Sequence, residues 1–261
     1  MRTLLAVSIG IPLFLMACSK GERPATQPAA PPPPGGEPTT TAVSGPTGAA
    51  TIKGTIKLTG PAPENPTIDM SEEPQCKSHY PTMPRDPVVT ASASGGLANV
   101  FVYVKDGLPA GDAYQAPAQD VEIDQEGCLY HPRVFGLMVN QKLLIKNSDP
   151  LLHNIKAKPA INRPFNISQP AAGMTTERTF PAPEVMVPLE CNVHGWMHAW
   201  VAVLPHPFFA VTGPDGSFTI GHLPAGTYTI AIWHEKFGTK TATITVTGDA
   251  TKTADFSFTS K

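Results

Sequence analysis

Four side chains in the second half of the chain have the types and the spacing that suit one metal ion. Cys191, His194 and Met197 follow one another at intervals of three residues, and His153 lies upstream. A thiolate and two imidazoles in a trigonal plane, with a weak axial thioether, are the ligands of a type 1 copper site. Soft sulfur stabilises Cu(I) and imidazole suits both oxidation states, so such a site favours one-electron transfer. The pattern predicts one copper ion.

The predicted strands must bring these residues together. One tight loop between two strands would present Cys191, His194 and Met197 side by side, and His153 would approach from the end of a strand at residues 142–147. The pattern C-x-x-H-x-x-M with an earlier H-N resembles the short ligand loop of the cupredoxins, which include amicyanin and plastocyanin. The resemblance implies a Greek-key sandwich with a blue copper centre.

The same resemblance implies a role for each residue of the motif. Cys191 would be the thiolate ligand, His153 and His194 the imidazole ligands, and Met197 the axial ligand. Asn154 would tie the ligand loop by hydrogen bonds from outside the ligand set.

The resemblance also implies a surface for electron exchange. The ring of His194 would reach the surface among apolar groups such as Trp196, and electrons would enter and leave at its exposed edge. His198 and His206 lie near in the sequence and are predicted to face solvent rather than the metal.

The elements that position this site are predicted to be strands. Helical periodicity is almost absent, and short alternating runs of β-branched and aromatic residues are separated by clusters of Gly, Pro, Asn and Asp. This pattern indicates an all-β fold of sandwiches with Greek-key connections. The predicted strands lie at residues 51–58, 99–104, 142–145, 200–204, 217–220, 227–232 and 241–246.

The C-terminal residues contain a second set of motifs. Residues 212–218 read T-G-P-D-G-S-F, and residues 223–228 read L-P-A-G-T-Y. They resemble the T-x-x-D-G-x-F turn and the L-P-x-G-x-Y strand of the carboxypeptidase regulatory-like or carbohydrate-binding-like sandwich, a fold of the immunoglobulin or prealbumin kind. The resemblance is one of fold, so it implies no peptidase activity.

The order of these motifs predicts a discontinuous domain. Strands typical of the C-terminal sandwich also occur before the copper motif, which suggests a sandwich built from residues 49–113 and 206–261. The cupredoxin-like unit, residues 114–205, would be inserted between its two parts. Two sequential domains that meet near Pro207 are the simpler alternative.

The N-terminal residues predict export. Residues 1–18 have a basic start, a short apolar run and the ending Leu-Met-Ala-Cys, which resembles the lipobox of bacterial lipoprotein signal peptides. Cys18 would then carry lipid and anchor the protein to a membrane, predicted to be the outer membrane, facing the periplasm or the cell surface. Residues 19–48 are rich in Pro, Ala, Gly and Thr and are predicted to be a disordered linker.

Two cysteines remain once Cys18 and Cys191 are assigned. Cys76 and Cys128 are the natural disulfide pair in an oxidising compartment. Both also occur as C-x-x-H, so together with His79 and His131 they offer an alternative, a second metal site.

Two classes of function remain open. The first is a carrier of single electrons between redox protein partners, not an enzyme, because the paired H-x-H or H-C-H motifs of copper oxidases and nitrite reductases are absent from the sequence. The second is a surface lipoprotein that binds a glycan or a protein, with Trp233 and His234 as an aromatic platform, unless Trp233 belongs to the core. The formal net charge of −2 and the lack of a basic stripe argue against nucleic acid as a partner.

Overall fold

The computed structural model describes residues 45–260. The predicted signal peptide, Cys18 and most of the predicted linker lie outside these residues. Over the described part of the chain the structure consists of strands and one short helix, which confirms the all-β prediction. No helix between residues 45 and 260 is both long enough and apolar enough to cross a membrane.

The elements occur in the following order. They are β1 (Ala50–Thr59), α1 (Pro74–Ser78), β2 (Phe101–Asp106), β3 (Val121–Glu126), β4 (Leu129–His131), β5 (Val134–Met138), β6 (Leu143–Asn147), β7 (His153–Ala157), β8 (Phe165–Gln169), β9 (Thr175–Arg178), β10 (Glu184–Glu190), β11 (His198–Leu204), β12 (Phe209–Val211), β13 (Ser217–Leu223), β14 (Gly226–His234), β15 (Gly238–Val246), β16 (Thr251–Thr253) and β17 (Phe256–Thr259).

Two sheets are built from strands near both ends of the described chain. One has the order β13-β1-β16, with β17 also paired to β1, and the other has the order β12-β2-β14-β15. In β13, Phe218 and Ile220 are buried while Ser217 and Thr219 are exposed, as expected for a strand with one face on a core. Side chains of both sheets share one hydrophobic cluster, which includes Ile52, Val102 and Ile230.

The other two sheets come from the middle of the chain. Their orders are β5-β11-β10-β7-β8 and β4-β3-β6-β9. They share a second cluster, which includes Ile123, Ile145, Leu189 and Val201. The consecutive strands β5 and β6 lie in different sheets of this pair. The residues of the predicted copper motif all belong to this second pair of sheets or to the loops at its end.

A third cluster joins the two pairs of sheets. The rings of Trp200 and Trp233 are 5.1 Å apart between their centroids. Beside them, the largely buried Arg133 forms ion pairs with Glu235 at 2.5 Å and with Asp86 at 2.6 Å. The indole N–H of Trp200 donates to Glu235 at 3.2 Å. Because a buried charge is costly unless it is paired, this network favours one fixed arrangement of the two pairs of sheets.

The structure decides between the two alternatives for Trp233, an exposed aromatic platform with His234 or a residue of the core, in favour of the core. His234 is buried, with its ring 4.8 Å from that of Phe237 between centroids. Trp233 is half-buried against Trp200. Neither ring therefore forms the exposed face that would stack on a sugar, because β14 lies between β2 and β15 and turns these residues towards packed neighbours.

His206 is also placed differently from the prediction. Its exposed fraction is 6%, so it does not face solvent. The rings of Phe208 and Tyr114 lie 5.8 and 6.5 Å from it between centroids. Burial lowers the pKa of His206 to about 4, and burial together with the charge of Arg133 lowers the pKa of His234 to about 4.

These two histidines predict a loss of stability in acid. Above about pH 7.5, one unit over the usual histidine pKa of about 6.5, both are neutral in the folded and unfolded chains. Between pH 6.5 and 4 only the unfolded chain binds these protons, so the free energy of unfolding falls with falling pH by up to about 1.4 kcal/mol per pH unit for each histidine. The measurement is urea unfolding from pH 7.5 to 4. In His206→Asn the amide oxygen can still accept from the N–H of Phe208. The change in the free energy of unfolding with pH should then be smaller by the contribution of one histidine, up to about 1.4 kcal/mol per pH unit. An unchanged pH dependence would contradict the low pKa of His206.

Candidate metal centre

The loop between β10 and β11 carries three residues of the motif. These strands are antiparallel neighbours, and Glu190 pairs with His198 at the base of the loop. The N–H of Cys191 donates to the carbonyl of Met197 at 3.2 Å, and the N–H of Met197 donates to the carbonyl of His194 at 2.9 Å. The N–H of His194 donates to the Cys191 sulfur at 3.4 Å. These hydrogen bonds therefore close residues 191–197 into a compact loop.

His153 approaches from the neighbouring strand β7, which pairs with β10. It is the first residue of β7, after the short loop that follows β6. Its ring is fully buried, and its Nε2 lies 2.7 Å from Oδ2 of Asp149. Its Nδ1 lies 2.9 Å from Nδ1 of His194.

The structure thus brings His153, Cys191 and His194 together. One ligand atom from each lies within 4.8 Å of the others, and all three residues are buried. One sulfur and two imidazole nitrogens that converge at one point fit a single soft or borderline metal ion. Met197 is buried in the same hydrophobic cluster as Cys191. The donor set present in the chain therefore fits copper.

The environment of Cys191 favours a thiolate. Burial alone would raise the pKa of this thiol, but hydrogen bonds from His153 and His194 and from backbone N–H groups outweigh burial and lower that pKa to about 5. The pKa of His153 is raised, because its hydrogen bonds to Cys191 and Asp149 outweigh burial. A thiolate is the form of cysteine that binds metals.

Asn154 connects the two ligand-bearing segments. Its side-chain oxygen accepts from the N–H of Asn192, in the ligand loop, and its side-chain nitrogen donates to Asn166 on β8. Its backbone carbonyl accepts from the hydroxyl of Tyr130 at 2.5 Å. These contacts are of the kind predicted for Asn154, a residue that ties the loop without reaching the metal position.

The prediction that His194 reaches the surface is wrong. Its side chain is 1% exposed. Residues 66–80, which include α1 and are called the cap below, lie over its ring. The Cys76 sulfur lies 3.7 Å from Nε2 of His194, and Oε2 of Glu73 lies 4.0 Å from the same nitrogen. Trp196 is half-buried, with its ring 5.2 Å from that of His194 between centroids.

A disulfide holds the cap in place. Cys76 and Cys128 are bonded at an S–S distance of 2.04 Å. Both are fully buried in a small apolar cluster with Ile68 and Met70. The indole N–H of Trp196 donates to the carbonyl of Cys128 at 3.0 Å. With both sulfurs in one bond, neither cysteine is a thiolate that could hold a second metal ion with His79 and His131.

Two residues near the centre have no role in the predicted ligand motif. Asp149 contacts His153, and a signal for it existed, since an acidic residue stands four positions before the first histidine. Tyr130 is buried beside Cys191, and burial together with the charge of that cysteine raises the pKa of its phenol. No sequence signal identified Tyr130, because its position depends on how the sheet that contains β4 packs against the sheet that contains β7 and β10.

Comparisons with known proteins give low overall similarity. No curated protein matches the chain. Among solved structures, an amicyanin variant in its Cu(I) form is 15% identical, with a TM-score of 0.29 over 32% of this chain and 81% of amicyanin. A purple cupredoxin from Nitrosopumilus maritimus is 21% identical, with a TM-score of 0.28 over 32% of this chain and 99% of its own. A copper-containing nitrite reductase from Thermus scotoductus is 18% identical, with a TM-score of 0.29 over 38% of this chain and 25% of its own.

The C-terminal part matches a family model. The model is described as the carboxypeptidase regulatory-like domain and covers residues 198–259, from the start of β11 to the end of β17. This range contains the D-G turn and the L-P-x-G-x-Y strand on which the sequence prediction depended. Residues 198–259 are therefore similar to the carboxypeptidase regulatory-like domain.

Proposed function

We propose that this protein carries single electrons by means of one type 1 copper ion held by His153, Cys191 and His194, with Met197 as the axial ligand. The observation that carries the proposal is the convergence of one buried sulfur and two buried imidazole nitrogens within 4.8 Å. A copper ion bound there would gain and lose one electron between Cu(II) and Cu(I).

The protein's own contribution would be a rigid and dry site. Cys191 with its lowered pKa supplies a thiolate at neutral pH. Hydrogen bonds within the ligand loop and between Asn154 and Asn192 restrain the ligands. Ligands that are held in one geometry move little when the charge of the ion changes, so the reorganisation that opposes electron transfer stays small.

The proposal includes the cellular location of the protein and its partners. Acylation at Cys18 would hold the protein at the outer membrane, facing the periplasm or the surface, and the linker 19–48 would let it reach redox protein partners. The copper unit, residues 114–205, would be inserted in a sandwich formed by residues 49–113 and 206–261. No substrate reaction is proposed, because the sequence offers no ligands for a further copper ion of the H-x-H or H-C-H type.

The test is spectroscopic. The full chain, purified in detergent and titrated with Cu(II), should develop an intense thiolate-to-copper band in the visible region and an EPR signal with narrow hyperfine splitting, at one copper per chain. A mild reductant should bleach the band and an oxidant should restore it. A colourless protein would contradict the proposal and would favour the alternative, a lipoprotein that binds glycans or proteins, which retention on immobilised polysaccharide would then test.

A further inference from the structure

We infer that Asp149 is a positioning residue of the proposed copper centre: its carboxylate holds His153 with Nδ1 towards the ion and stabilises Cu(II) over Cu(I). The inference rests on the proposed copper function. The buried charge of Asp149 would then tune the midpoint potential of the copper ion. Three contacts of this carboxylate carry the inference.

The first step concerns the hydrogen-bond partners of Asp149. Its side chain is 2% exposed. One oxygen accepts from the N–H of Gly127 at 2.8 Å, and the other accepts from the N–H of Cys128 at 2.7 Å. That second oxygen also lies 2.7 Å from Nε2 of His153. Because backbone N–H groups only donate, Asp149 acts here as an acceptor, which is the role of an ionised carboxylate.

The second step concerns the tautomer of His153. A carboxylate that accepts at Nε2 requires the proton to be on that nitrogen. The lone pair of the neutral ring is then on Nδ1, which is the nitrogen that faces His194. A carboxylate behind a ligating histidine fixes the ring orientation and makes the imidazole more basic. Asp149 therefore presents His153 to the metal position in its ligating form.

The third step concerns the rigidity of Asp149 itself. Its N–H donates to the side-chain oxygen of Asn147 at 3.0 Å. The side-chain nitrogen of Asn147 donates to the carbonyls of Leu151 at 3.0 Å and of Gln169 at 2.8 Å. Two other ionisable side chains lie near the carboxylate: the partly exposed His79, with 3.8 Å between its Nε2 and an Asp149 oxygen, and Tyr80, whose phenol pKa is raised by burial and by the charge of Asp149. The carboxylate is thus held by the protein and does not depend on a mobile partner.

These contacts predict the effect of Asp149→Asn. The substitution removes a negative charge behind a ligand, and this charge stabilises Cu(II) more than Cu(I). Loss of such a partner lowers metal affinity by about 10- to 100-fold. Each tenfold loss of affinity for Cu(II), with the affinity for Cu(I) unchanged, raises the one-electron midpoint potential by about 59 mV. The potential of the variant should therefore be higher, and its Cu(II) should be released more readily to a chelator.

The experiment compares three forms of the full chain in detergent: wild type, Asp149→Asn and Glu190→Gln. The control removes the same charge next to Cys191, but Glu190 is partly exposed, and its charge is paired with Lys158 at 2.8 Å rather than with a ligand histidine. The midpoint potential and the Cu(II) affinity are measured for each. A higher potential in Asp149→Asn alone supports the inference, whereas equal shifts in both variants, or no shift in either, overturn it.

A second measurement needs no variant and remains informative if Asp149→Asn does not fold. In the wild-type chain labelled with ¹⁵N-histidine and reduced to Cu(I), His153 should show a slowly exchanging, low-field proton on Nε2. Rapid exchange, or a proton on Nδ1 instead, would overturn the inference. If the wild type shows no blue band, the proposed function fails, and the same spectrum of the chain without copper still tests how Asp149 holds His153.

Discussion

Replacing Cys191 with serine is expected to abolish the visible charge-transfer band completely while the protein remains folded. The band of a type 1 site arises from the copper–thiolate bond, and a hydroxyl cannot supply it. Serine is close to cysteine in size, and the loop keeps the hydrogen bonds between its backbone groups. The stability of the copper-free protein should therefore change by only about 1 kcal/mol, the usual contribution of one hydrogen bond.

The control for this substitution lies in the same loop. Asn192 has an exposed side chain, and its backbone N–H is the group that Asn154 binds. Asn192→Ser should therefore retain the band, the copper stoichiometry and the EPR signal of the wild type. The measurements are the visible spectrum after Cu(II) addition and urea unfolding without copper. A Cys191→Ser protein that stayed blue would show that another residue supplies the sulfur ligand.

The parts of the fold that were predictable depend on local rules. The D-G turn before β13 is one example. Gly216 has φ +80°, and a Cβ there would lie 2.4 Å from the carbonyl oxygen of Ile56. Only glycine adopts this positive φ readily and also lacks the Cβ that would clash, so the turn can be recognised in the sequence. The strands that alternate in polarity were predictable for the same reason, while shorter strands such as β4 and β16 gave too few alternating positions.

The site was predictable where its residues are close in sequence. Cys191, His194 and Met197 belong to one loop, whose spacing is visible in the sequence. The cap was not predictable in the same way, because it reaches the site through a bond between Cys76 and Cys128, 52 residues apart. The burial of His194 depends on the path of that distant segment, which no local pattern specifies.

Asp149 shows an intermediate case. Its position four residues before His153 is visible in the sequence, but that spacing has no fixed meaning outside a helix. The contact forms because Asn147 shapes the loop between β6 and β7 and because the backbone at Gly127 approaches the carboxylate. A hydrogen bond that depends on the conformations of two loops can be assigned only when both are known.

Removing the disulfide is expected to expose His194 and to accelerate electron exchange with small reagents. In the intact protein the cap places the Cys76 sulfur 3.7 Å and Oε2 of Glu73 4.0 Å from Nε2 of His194, the ring nitrogen opposite the one that faces the metal position. Replacing Cys76 and Cys128 with serine puts two polar groups into an apolar cluster and removes the covalent link between the cap and the turn that joins β3 to β4. The free energy of unfolding should decrease by about 2 to 5 kcal/mol.

The cap predicts a rate effect that a merely destabilised protein would not show. Ile230→Ala serves as the control, since this buried residue of β14 belongs to the first pair of sheets and its truncation should cost a similar 2 to 5 kcal/mol. The rate at which hexacyanoferrate oxidises the Cu(I) forms, measured by stopped flow, should be higher than wild type in the double serine variant and unchanged in Ile230→Ala.

Equal rates in all three proteins would mean that electrons leave by another route. The half-buried Trp196, whose ring contacts both His194 and the Cys128 carbonyl, would then be the next residue to replace. An accelerated double variant would instead show that the cap limits access to the copper ligand, so a partner protein must either displace the cap or exchange electrons across it.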